Sequence, residues 1–176
     1  MGGKSTGSVV IEDGVAKFEG RVEIVPSLNA PGFITMVTGG YRTGDAKFPD
    51  VSSCDAFKVV LRSSSSYDGY RISFGHHHEP DGRFAMGYKA PAWDGDDVPS
   101  DDFGDMIFPF KTFSAKWDDA TGEVTESCAQ NSKLCPDRKS LSNLQTMSFW
   151  GEGVAGIVGL QIKSISAVGC NNNQND

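Results

Sequence analysis

The chain has 176 residues, enough for one domain and scarcely for two. With 38% hydrophobic and 22% charged residues it has a globular composition, and its apolar runs are only a few residues long, too short to span a bilayer. The net charge of -7, with no basic block, excludes a duplex nucleic-acid partner and a polybasic membrane anchor, both of which need clustered Lys and Arg.

No signal peptide or Arg-rich transit segment opens the chain. Gly2, Gly3, Lys4 and Ser5 superficially invite a phosphate-loop reading. The first glycine of that motif has no room before Gly3, and a strand follows, so the reading fails. Ser8 to Ile11 predicts a strand, and Asp13-Gly14 predicts a tight hairpin turn. In the next ten residues Ala16, Phe18, Val22 and Ile24 share one face, and Lys17, Glu19, Arg21 and Glu23 the other. The same alternation predicts strands at Phe57, Val59 and Leu61, at Tyr70, Ile72 and Phe74, and at Met147 and Phe149. The last strand carries Val158, Leu160 and Ile162 on one face, and Ile165 indicates a change of phase, as a bulge produces. Phe18, Phe57, Val59, Leu61, Ile72, Phe74, Phe149 and Leu160 form the expected core.

Turn clusters at Leu28 to Gly32, Ser63 to Gly69 and Glu79 to Gly82 separate these runs. The best helical candidate, Pro136 to Leu144, is short. Strands with almost no helix predict an all-β antiparallel sandwich or barrel over residues 1–169, followed by a polar tail at 170–176.

Four features bear on chemistry. His76, His77 and His78 with Glu79 offer transition-metal ligands, but neighbouring strand residues point to opposite faces, so a solvated strand end is expected. Asp94, Asp96, Asp97, Asp101, Asp102 and Asp105 crowd one loop. No Glu closes it at EF-hand spacing, so it reads as a solvated acidic loop and, with Trp93, as the first candidate contact with a basic partner surface. Trp93, Trp117 and Trp150 with Tyr67, Tyr70 and Tyr88 are expected mainly in the core, with a sugar-stacking platform as the alternative. No nucleophile elbow, His-Glu-x-x-His or dinucleotide fingerprint is present, so the residues give no catalytic signal. The expectation is a non-enzymatic protein without cofactor or metal.

The four cysteines allow three complete pairings. Cys128 and Cys135 bracket a short polar loop, which leaves Cys54 with Cys170; free buried thiols are the alternative. Bridges would indicate an oxidising compartment.

Several segments, in order, resemble the complex I intermediate-associated protein 30 family. They are the opening Met1 to Gly7, Ala16 to Gly20 with its Phe18, Pro31 to Phe33, Asp50 to Arg62, Asp68 to Arg71, Ile107 to Phe113 and Gly156 to Ile165. The basic residue that the family places soon after Phe33 is absent, and the acidic loop and the Cys128 to Cys135 segment look like insertions. The resemblance implies a jelly-roll sandwich of the galactose-binding-like type, beginning inside its domain, with no catalytic residue. It also implies an accessory or assembly-factor role on subunits of a membrane electron-transport complex, respiratory complex I or a photosystem. The thylakoid lumen is then the favoured location and the mitochondrial matrix the alternative. A carbohydrate-binding module is the competing reading, because related sandwiches bind glycans.

Overall fold

Asp13 and Gly14 take φ of 52° and 76°. Positive φ at both central residues is the two-residue turn whose twist matches paired strands. It joins β1 (Thr6–Glu12) to β2 (Val15–Val22) in an unbroken antiparallel register from Thr6↔Arg21 to Glu12↔Val15. The computed structural model describes residues 3–38, 48–78, 85–93 and 95–171, with side chains at 76–78 and 85–86 outside the described set. The histidine triplet's side chains therefore lie outside the described residues, as does Asp94.

The remaining strands are β3 (Ile24–Val25), β4 (Ala30–Pro31), β5 (Phe33–Thr38), β6 (Ala56–Ser63), β7 (Tyr70–His78), β8 (Ala85–Lys89), β9 (Gly104–Pro109), β10 (Thr146–Glu152) and β11 (Gly156–Val168). β3 and β4 pair only with each other; the other strands, with β1 and β2, form a five-stranded sheet in the order β1-β2-β11-β6-β9 and a four-stranded sheet in the order β5-β10-β7-β8. All pairings are antiparallel, and the two sheets make a jelly-roll β-sandwich. The predicted helix shrinks to the single turn α1 (Arg138–Leu141), opened by Asp137, whose Oδ1 accepts from Ser140 N at 2.7 Å. A carboxylate accepting orphan first-turn amides is the ordinary N-cap.

Period-two alternation puts one row of each strand between the sheets. Phe18, Leu160 and Val59 come from the five-stranded sheet, and Ile72, Phe74 and Phe149 from the other. All eight expected core residues are buried. The rings interlock edge to face, with Phe57 against Phe74 at 5.4 Å and Phe110 at 4.8 Å. The phase change near the chain end is a register shift between Ile162 and Ser164 in the β11–β6 ladder. One expected face is corrected: Ile24 is exposed and Val25 buried. The alternation breaks at Glu23, whose amide leaves the ladder and donates to Ser5 Oγ at 3.0 Å.

Candidate functional site

The outer face of the four-stranded sheet carries an aromatic and charged cluster. β10 turns Ser148, Trp150 and Glu152 outward, because Met147, Phe149 and Gly151 face the core. Beside them, β7 turns out Arg71 and Ser73, β5 turns out Phe33, Thr35 and Val37, and β8 turns out Lys89. The Trp150 and Phe33 rings sit 5.7 Å apart at 54°. Trp150 Nε1 donates to Ser73 Oγ at 2.8 Å, and Lys89 Nζ lies 4.3 Å from the Trp150 ring centre. These contacts hold the indole in place, while Phe33 is 45% exposed at the sheet edge.

Next to this platform lies a charge cluster that is out of solvent. Lys89 Nζ donates to Glu152 Oε1 at 2.7 Å, and Arg71 Nη1 donates to the Glu152 carbonyl at 3.0 Å. Arg71, Lys89 and Glu152 are 3%, 4% and 5% exposed. Burial pushes the Lys89 amine below its usual range; Glu152 opposes that shift and the Arg71 charge adds to it. Two cations thus share one carboxylate, and Arg71 Nε has no hydrogen-bond partner.

The cluster is covered by the segment running from Ser114 to about Cys135. Ser114 extends the sheet by one bridge, exchanging both backbone hydrogen bonds with Lys89 at 3.0 and 2.9 Å. Trp117 pairs with Val124, and its ring centre lies 5.5 Å from Lys89 Nζ. Asp118 Oδ1 accepts from the amides of Ala120 and Thr121, which tightens the tip and lowers its own pKa. Gly122, at φ 70°, sits so close that a Cβ there would lie 2.2 Å from Glu152 Oε1. At the base of the segment Ala115 N donates to Leu134 O, and Cys128 is bridged to Cys135.

The structure separates the residues named from sequence. Tyr67, Tyr70, Tyr88 and Trp93 are buried in the core, and only Trp117 and Trp150 stand on an outer face. Trp93 is thereby corrected as a contact residue: it is 8% exposed and stacked on Tyr70 at 4.9 Å, with Phe108 at 5.7 Å. Asp96, Asp97, Asp101 and Asp102 are exposed near a different edge, where Arg62 Nη1 donates to the Asp101 carbonyl at 3.1 Å. Asp105 belongs to β9 and pairs with Lys58 at 3.2 Å. Cys54 is bridged to Cys170. Among the described residues, no group of three or more His, Cys, Asp or Glu is placed to hold a metal ion, and no helix is long and apolar enough to cross a membrane. Sequence reasoning missed Arg71, Lys89 and Glu152. Their signal was outward position on strands whose other face is core, which by itself reads as solvent.

The chain matches no protein-family model and no curated protein. It is similar in structure to the family 11 carbohydrate-binding module from Clostridium thermocellum, solved with a beta-1,3-1,4-mixed-linked tetrasaccharide. That similarity has a TM-score of 0.57 at 14% identity, over 97% of this chain and 85% of the module. It is also similar to the family 11 module of the cellulosomal cellulase Lic26A-Cel5E of the same organism, with a TM-score of 0.56 at 13% identity, over 99% and 87% of the two chains. At these identities the likeness establishes the sandwich fold.

Proposed function

We propose that this protein is a non-catalytic glycan-binding module whose site is the outer face of the four-stranded sheet. The observation that carries the reading is the Phe33 and Trp150 pair, two rings on one sheet face beside hydroxyls and fixed charges. Sugar rings present apolar C–H faces with polar rims, and an aromatic flanked by oriented hydrogen-bonding groups suits both. Thr35 and Ser73 supply hydroxyls on that face, and the buried ion cluster fixes the floor beside it. The structural neighbours support the same reading, since both are carbohydrate-binding modules. Lys89 and Glu152 lie beneath the Ser114 to Cys135 segment and bond each other, an arrangement suited to holding a surface rather than to acid–base turnover. The accessory-subunit reading rests on the ordered sequence segments alone.

The test is a calorimetric titration with the mixed-linked tetrasaccharide and a panel of neutral β-glucan oligosaccharides. Binding is expected, and Phe33→Ala should weaken it about tenfold, the worth of one well-placed ring contact. Trp150→Ala should remove it, while neutralising Asp96, Asp97, Asp101 and Asp102 together should leave it unchanged. Absence of binding across the panel, or binding that survives both ring substitutions, would overturn the proposal.

A further inference from the structure

β1 is the outermost strand of the five-stranded sheet, and all seven of its residues are exposed. It pairs with β2 on one side; on the other, its backbone has no partner among the described residues. Open edges are normally blunted by proline, a bulge, an inward charge or shortness. β1 has none of these: its register is continuous and it contains no proline. Val9, Val10 and Ile11 at its centre are 43%, 53% and 77% exposed. Val9 and Ile11 lie opposite Phe18 and Ala16, so they belong to the inner layer of the sandwich, at the margin where that layer is uncovered. The other end of this sheet differs, since β9 finishes in Pro109 and its Asp105 is paired with Lys58.

We infer that β1 is a self-complementary edge, and that its occupant is β1 of a second copy, paired antiparallel about a two-fold axis to give a continuous ten-stranded sheet. The charges select the copy. Lys4, just before the strand, is exposed and makes no ion pair among the described residues; Glu12 closes the strand, and its side chain is 61% exposed even with Lys17 of β2 paired to it, so a second cation can reach its carboxylate. An antiparallel self-pairing centred on Ser8 sets Lys4 against Glu12 of the second copy, twice by symmetry. The pleat agrees. Glu12 shares the outer face with Val10, and even-numbered positions then oppose even-numbered ones, so odd-numbered Val9 meets Gly7 of the second copy within the inner layer. Opposite charges directly across a ladder stabilise the pair and like charges destabilise it. The contact is isologous and uses up the edge, so assembly stops at two.

Sedimentation equilibrium tests this with a charge swap. The wild-type protein should show a concentration-dependent monomer–dimer equilibrium. Lys4→Glu alone and Glu12→Lys alone should each dissociate on the order of tenfold more readily, since each places two like-charged pairs across the ladder. An equimolar mixture of the two variants restores opposite charges at both positions and should return to wild-type dimerisation, which also shows that each variant is folded. Ile11→Lys should remove the dimer. A wild-type protein that stays monomeric to about millimolar concentration, or a mixture no tighter than its components, would overturn the inference. It stands apart from the glycan reading: Phe33→Ala should leave the dimer unchanged.

Discussion

The two outer faces of the sandwich are built from the same residue types and behave differently. On the five-stranded sheet, Lys17 pairs with Glu12 and Lys58 with Asp105 in solvent. On the four-stranded sheet, Lys89 pairs with Glu152 out of solvent. What differs is the segment from Ser114 to Cys135, which folds over one face and leaves the other bare. An exposed pair is screened and contributes little. A buried pair has given up hydration, so each partner depends on the other.

The largest expected effect sharpens the comparison at the bare sheet's own staple. The Cys54–Cys170 bridge closes a sequence separation of 116 and ties the end of β11 to the approach to β6, whereas Cys128–Cys135 closes a separation of 7 within the covering segment. In the chain-entropy model the long bridge contributes roughly 4.8 kcal/mol and the short one about 2.4 kcal/mol. The double serine substitution at Cys54 and Cys170 should therefore lower the urea midpoint more than that at Cys128 and Cys135.

Glu152→Ala comes next. It strands the Lys89 and Arg71 cations beneath the covering segment and should cost about 3–5 kcal/mol by urea unfolding, the usual penalty for breaking a buried pair. Lys58→Ala, across the molecule, should cost less than about 1 kcal/mol. Equal costs at the two sites would break the contrast between the faces.

The smallest effect is a local pH response. The Asp118 carboxyl is held below its ordinary 3.8 chiefly by hydrogen bonds from Thr121, and Glu126 below its ordinary 4.5 by Lys116 and Asn131. A carboxylate with a depressed folded pKa contributes stability that is complete above its ordinary value and is lost as pH falls through the depressed one. Amide exchange in residues 115–126 should therefore accelerate as pH drops below about 4, after correction for the intrinsic rate. The β10 and β11 amides should show no such change, and a uniform response across the molecule would remove the assignment to this segment.

Period-two alternation is a local property of extended backbone, so the sequence by itself determined β1, β2, β6, β7, β10 and β11, their inward rows apart from Ile24, and the Asp13-Gly14 turn. Phe18, Phe74 and Leu160 were legible as core because their neighbours on both sides are polar or glycine. The bulge after Ile162 was legible for the same reason, as a break in phase. Alternation says which way a side chain points, and only the tertiary structure decided what lies there. Arg71 and Glu152 point away from the core and are nevertheless buried, because Thr121, Gly122 and Trp117 come across them from a distant part of the chain. Trp93 and Trp150 look alike in sequence, yet one is stacked on Tyr70 in the core and the other stands with Phe33 on the outer face. Burial is set by the summed path of the whole chain, and no local pattern contains that sum.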